Sequence, residues 1–97
     1  MSVAFHPEAR EELLAAAEYY ESQQTGLGRR FIEAVADAVQ RIQATPFMFQ
    51  TVEGELRKCR VLRFPYGVIF RPSNADIYII AVMNLRRKPG YWKRRRV

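Results

Sequence analysis

The 97-residue chain is long enough for one small domain and too short for two. Apolar residues make up 48% of it and aromatic residues 12%, which is typical of a folded domain and excludes a disordered chain. A lone cysteine, Cys59, excludes an internal disulfide and cannot by itself build a zinc site. No secretory signal or bilayer-length apolar run is present. We therefore expect one cytoplasmic domain over residues 1–97, with Cys59 as a small apolar strand residue.

The net charge of +6 is divided unevenly along the chain. Residues 1–56 carry four Lys or Arg against nine Asp or Glu, whereas residues 57–97 carry twelve Lys or Arg against one acid, Asp76. Solubility requires charge but not its segregation. The division therefore predicts a basic side that attracts an anionic partner, either a nucleic acid or an acidic protein surface.

The first half of the chain is predicted to be a short strand followed by a helical hairpin. After the strand at residues 2–5, apolar residues recur at helical spacing over residues 7–24, beginning with a proline that suits the first helical position. A second helix is predicted over residues 27–44, ending before Pro46. Gly26 between them suits a left-handed turn, so the two helices are expected to run antiparallel.

The second half is predicted to form most of a sheet. Residues 47–55 are expected to be a loop, and the periodicity then becomes that of strands, predicted over residues 57–64, 66–71 and 77–83. A turn at residues 72–76 separates the last two, and the very apolar last strand is expected to lie inside the sheet. The order β-α-α-β-β-β predicts an α+β fold, in which the N-terminal strand and the antiparallel helical hairpin pack on a mainly antiparallel four-stranded sheet.

Four cations lie close together in the first of these C-terminal strands. Alternation places Arg57 and Arg63 on one face and Lys58 and Arg60 on the other. Protection of an edge strand against aggregation explains a single lysine well, but it explains four cations in seven residues poorly. These four residues are therefore predicted to form a supporting basic surface.

The tail at about residues 85–97 combines cations with aromatic rings. Seven of residues 84–97 are Lys or Arg, and Tyr91 and Trp92 lie among them. Arginine binds phosphate through a bidentate fork and aromatic rings stack on bases, but the same residue types dominate protein–protein hot spots. The tail is thus predicted to be a recognition surface for either kind of partner, although Trp92 could equally close the edge of the core.

Motifs of ordinary enzymes are absent from the sequence. The only histidine, His6, lies far along the chain from the basic half, and no Ser/His/Asp set or phosphate-binding glycine loop is present. No metal or cofactor is predicted, and the acids of the first half are interpreted as a solvated helix face. RNA cleavage would need a proton acceptor and a proton donor with shifted pKa values, and nothing in the spacing demands them. The candidates for that chemistry would be Lys58, Lys93, Tyr66, Tyr78 and Tyr91.

Several short motifs, taken in order, resemble the RelE/ParE superfamily of bacterial type II toxin–antitoxin toxins. They are Pro7-Glu8-Ala9, Glu18-Tyr19-Tyr20-Glu21, Gly26-Leu27-Gly28-Arg29-Arg30-Phe31, Ile42 with Pro46, Arg60, Phe64-Pro65-Tyr66, Ile69, Ala81-Val82 and Arg86-Arg87-Lys88-Pro89-Gly90-Tyr91-Trp92. The motifs extend over nearly the whole chain, and the Phe-Pro-Tyr and Arg-Arg-x-Pro-x-Tyr-Trp pieces are the most specific. The resemblance implies a RelE/ParE-like fold, with a helical hairpin packed on a sheet, and a cognate antitoxin that binds the toxin in a hetero-oligomer.

The superfamily divides by target, and this chain is more similar to the ParE-like members. Those members poison DNA gyrase, whereas RelE-like members cleave messenger RNA in the ribosome with basic residues and a C-terminal tyrosine. Asn84 stands where similar sequences often carry histidine, which weakens the nuclease alternative. A third possibility is a non-toxic relative that binds only antitoxin or DNA.

Each alternative implies its own site residues. A ParE-like toxin is expected to contact its target through Arg86, Arg87, Tyr91 and Trp92, supported by Arg57, Lys58, Arg60 and Arg63. A RelE-like ribonuclease would hold phosphate and move protons with Lys58, Arg60, Arg86 and Tyr91.

Overall fold

The structure, a computed structural model, describes residues 2–95 and confirms the predicted α+β fold. The elements in chain order are β1 (Ser2–Phe5), α1 (Pro7–Gln23), α2 (Leu27–Ala44), β2 (Thr51–Glu53), β3 (Leu56–Arg60), β4 (Tyr66–Pro72) and β5 (Asp76–Asn84). The strands form one sheet in the order β1-β5-β4-β3-β2, in which β1 runs parallel to β5 and the other pairs are antiparallel. No helix within the described residues is long and apolar enough to cross a membrane.

One carboxylate and two glycines form the turn between the two helices. Gly26 has φ +88°, the left-handed conformation predicted for it. The Glu21 carboxylate accepts hydrogen bonds from the backbone N–H groups of Gly26 and Gly28, at 3.0 to 3.1 Å. A Cβ on Gly28 would lie 2.4 Å from the Ala17 carbonyl oxygen. The absence of a side chain there lets α2 start directly against α1.

The sheet has a buried cluster on each face. One face packs against both helices, and the opposite face carries a smaller cluster that includes a residue from beyond the last strand. The first cluster contains, among others, Phe31, Val35, Ile42, Val68, Phe70 and Ile79. The second consists of Ile69, Ile80, Ala81, Met83 and Trp92. The sheet is therefore covered on both faces, although helices lie on only one.

The sheet differs from the prediction mainly in two places. Part of the loop predicted over residues 47–55 is the strand β2, which makes the sheet five-stranded. The strand predicted over residues 57–64 ends at Arg60, because Arg63 adopts φ +73° in the turn that leads into β4. Cys59 is 1% exposed, as its apolar interpretation predicts, and burial raises the pKa of its thiol.

Candidate target-binding surface

The chain after β5 forms a series of turns, which we call the C-terminal arm (residues 85–95). The Leu85 N–H donates to the Pro65 carbonyl at 2.8 Å, which joins the start of the arm to the turn before β4. The Asn84 side-chain oxygen accepts from the Arg86 N–H at 2.9 Å, an Asx-type turn that directs the chain away from the strand. Asn84 thus has a structural role at the start of the arm.

Trp92 anchors the arm to the sheet. It is 3% exposed and packs with Ile69, Ile80 and Met83 in the cluster on the face opposite the helices. Its indole Nε1 is buried and has no hydrogen-bond partner among residues 2–95. The burial of the ring agrees with the alternative prediction that Trp92 closes the edge of the core. A contact between Trp92 and a target stays a prediction.

Tyr91 is half-buried and its hydroxyl is already paired. That hydroxyl donates to Glu12 Oε2 at 2.7 Å. Burial, followed by the hydrogen bond to Glu12, raises the pKa of Tyr91 above its usual range. The hydroxyl is therefore a poor proton acceptor in this arrangement. The ring of Tyr91, and not its hydroxyl, is the part that lies against Arg87.

Arg86 and Arg87 lie at the surface, Arg87 on the Tyr91 ring. The Arg87 guanidinium carbon lies 3.7 Å from the centre of the Tyr91 ring, and the Arg87 side chain remains 57% exposed. Arg86 is exposed. Burial, followed by the neighbouring Tyr66 and Tyr19, raises the pKa of Tyr20, and Arg86 is close enough to oppose that rise. A shallow depression of about 240 Å³ beside them is lined in part by Tyr19, Tyr66 and Arg87.

The four cations predicted on the strand are separated by the structure. The Arg57 guanidinium donates to the carbonyls of Phe47 and Phe49 at 3.1 and 2.7 Å, so its role is to brace the loop before β2. Lys58 lies beside the arm in a depression that it shares with Lys93, whose ammonium pairs with Glu53 at 3.0 Å. Arg60 and Arg63 are exposed.

Glu12 and Arg95 are the two residues of this region that the sequence interpretation missed. Glu12 was assigned to a solvated helix face, but its side chain is only 16% exposed and that of Arg95 only 10%. The two Arg95 Nη atoms donate to the two Glu12 carboxylate oxygens, each at 2.9 Å. A signal was present in the sequence: Glu12 lies three residues after Ala9 and four before Ala16, on the buried stripe of α1.

No group of three or more His, Cys, Asp or Glu side chains among residues 2–95 is arranged to hold a metal ion. The C-terminal arm instead presents positive charge at the surface while Trp92 anchors it in the core. Arg86 and Arg87 are exposed, Arg87 lies on the Tyr91 ring, and the same arm carries the buried Trp92. That arrangement suits recognition of an anionic or aromatic surface.

Comparisons with known proteins point to one family. The model of a family described as "ParE toxin of type II toxin-antitoxin system, parDE" matches residues 3–89. Among solved structures, the chain resembles a chromosomal ParDE TA system from P. aeruginosa with a TM-score of 0.63 at 19% identity, covering 87% of this chain and 95% of that one. This similarity concerns the fold. No curated protein sequence matches the chain.

Proposed function

We propose that this chain, which belongs to the ParE toxin family of type II toxin–antitoxin systems, inhibits DNA gyrase in the cytoplasm and is neutralised by a cognate antitoxin. The observation that carries the proposal is the exposed Arg87 guanidinium, held on the Tyr91 ring 3.7 Å away by an arm that Trp92 anchors in the core. Arg86 lies next to it at the surface. The toxin would act by binding, without a catalytic step.

The chemistry of the arm supports a binding role. Arginine beside an aromatic ring, on a support that is already ordered, is typical of residues that contribute most to protein–protein affinity. A cation fixed before binding loses less side-chain entropy than a free one. Residues 57–97 carry only one acid, which also suits an acidic antitoxin segment as the neutralising partner.

The ribonuclease alternative has weaker support. It would need Lys58, Arg60, Arg86 and Tyr91 to hold phosphate and move protons. The Tyr91 hydroxyl is bonded to Glu12, and its pKa is raised above the usual range, which opposes a role as general base. A general base needs a pKa near the working pH, whereas Tyr91 holds its proton in the hydrogen bond to Glu12.

Inhibition of purified gyrase tests the proposal directly. We expect the wild-type protein to block DNA supercoiling, and the antitoxin encoded beside it to restore the activity. The double variant Arg86→Ala/Arg87→Ala should need about thirtyfold more protein for half inhibition, the effect of losing a hot spot. Arg10→Ala/Arg29→Ala is the matched control, because it removes two exposed cations from the helices.

Two results would overturn the proposal. One is normal supercoiling at saturating toxin, and the other is equal inhibition by the arm variant and the helix control. Prompt loss of translation with codon-positioned cuts in messenger RNA, on induction without antitoxin, would support the RelE-like alternative instead. Absence of any growth defect would indicate a non-toxic relative.

A further inference from the structure

The edge of β5 next to the helices is incomplete. Pairing between β1 and β5 ends with Phe5 opposite Ile79, because Pro7 begins α1 immediately afterwards. β5 continues to Asn84, so its backbone groups beyond Ile79 need other partners on that edge. Side chains supply them: Glu12 Oε1 accepts from the Val82 N–H at 2.9 Å, and Arg95 Nη1 donates to the Ile80 carbonyl at 3.0 Å.

Glu12 is the centre of this arrangement. Its carboxylate accepts from the Val82 N–H, the Tyr91 hydroxyl and both Nη atoms of Arg95, all within 2.9 Å. It therefore joins α1, β5 and two positions of the C-terminal arm. A carboxylate offers enough lone pairs for four donors, whereas an amide of the same shape has one oxygen and would point its own N–H groups at another donor.

The same carboxylate also lies near the exposed arginine. Arg87 Nη1 lies 3.9 Å from Glu12 Oε2, and the guanidinium carbons of Arg87 and Arg95 lie 3.7 and 5.1 Å from the Tyr91 ring centre. Two like charges therefore lie near one ring, and a nearby anion offsets part of their repulsion. Glu12 is that anion, and it also sets the orientation of the ring through the hydroxyl.

We propose that Glu12 is a positioning residue for target recognition: it locks the C-terminal arm to β5 and holds Arg87 on Tyr91 in the conformation presented to the partner. The inference rests on the proposed function, because that function states which partner the arm would bind. Its structural part stands independently, because the position of Arg87 can be measured without any target. The side chain of Glu12 is only 16% exposed, so Glu12 would support the Arg87 contact with the partner without making a contact itself.

The variant Glu12→Gln tests the structural part. We expect NMR spectra to lose the upfield ring-current shift that Tyr91 imposes on the Arg87 side-chain protons, while far-UV circular dichroism stays unchanged. Trp92, the only tryptophan, should become more accessible to acrylamide as the arm loosens. Glu11→Gln is the matched control: it removes the same charge one residue earlier, from an exposed position, and should change neither signal. An unchanged Arg87 shift in Glu12→Gln overturns the proposal.

A double-mutant cycle with Arg87→Gln tests the functional part and excludes general destabilisation. We expect Glu12→Gln to lower the potency of growth arrest about tenfold at matched protein levels, and to lower it no further when Arg87 is already Gln. Equal losses in both backgrounds would mean that Glu12 acts only on stability, which contradicts the proposal. If the wild-type chain arrests no growth, the proposed function fails, and the NMR comparison alone decides whether Glu12 positions Arg87.

Discussion

Truncation of Trp92 is expected to be among the most destabilising changes in the arm. The side chain is 3% exposed, and a buried indole removes on the order of 200 Å² from water, or about 5 kcal/mol at 25 cal/mol per Å². This value is an upper bound, because the unfolded chain already hides part of that area. We expect Trp92→Ala to lower the free energy of unfolding by about 3 to 4 kcal/mol, a large fraction for a domain of this size.

Trp92→Phe should behave very differently. Phenylalanine gives up about 50 Å² of buried area, worth roughly 1 kcal/mol, but it also removes the buried Nε1 that has no partner among residues 2–95. An unpaired buried donor costs about 1 to 3 kcal/mol. The two contributions oppose each other, so Trp92→Phe should stay within about 1 kcal/mol of the wild type.

Urea unfolding followed by far-UV circular dichroism measures both variants without using the tryptophan as the probe. If the arm undocks in Trp92→Ala instead of leaving a cavity, the loss will be limited to the docking free energy, and the m-value will fall because the native state already exposes the sheet face. A loss below about 1 kcal/mol with an unchanged m-value would refute the reasoning, since it would mean that Trp92 is not part of the cooperative core. A loss above about 2 kcal/mol in Trp92→Phe would show that Nε1 is paired after all.

Three further outcomes follow from the contacts described above. Gly28→Ala should cost about 2 kcal/mol or more in urea unfolding, because its Cβ would meet a carbonyl oxygen at 2.4 Å, whereas Gly54→Ala, with open space around it, should cost only about 1 kcal/mol for its left-handed φ. Arg57→Ala should cost about 1 to 3 kcal/mol by the same assay, because two loop carbonyls lose their charged donor. The folded-state pKa of Tyr91 lies above its unfolded value, so its contribution is fully present below about pH 10 and is lost as pH rises through the folded pKa. Urea midpoints between pH 8 and 11 should therefore fall less steeply in Tyr91→Phe than in the wild type.

The sequence predicts the helical hairpin closely and the sheet edges less well. The predicted range of α2 matches the structure at both ends, because a strong apolar stripe lies between Gly26 and Pro46. β2 has only three residues, and two of them are exposed, so no alternation pattern marks it. The parallel pairing of β1 with β5 joins residues more than 70 positions apart, and local periodicity carries no information about such a pairing.

The candidate site shows why a charge pattern locates a surface but does not assign roles within it. The basic second half directs attention to the arm, yet three of its residues make structural contacts: Trp92 in the core, Arg57 with loop carbonyls and Arg95 with Glu12. Composition cannot distinguish a free arginine from a paired one, since the partner of Arg95 lies 83 residues away in a helix of opposite charge. The acidic and basic halves are therefore not only two separate faces. At Glu12 they meet, and the acid of the first half fixes the geometry in which the cations of the second half are presented.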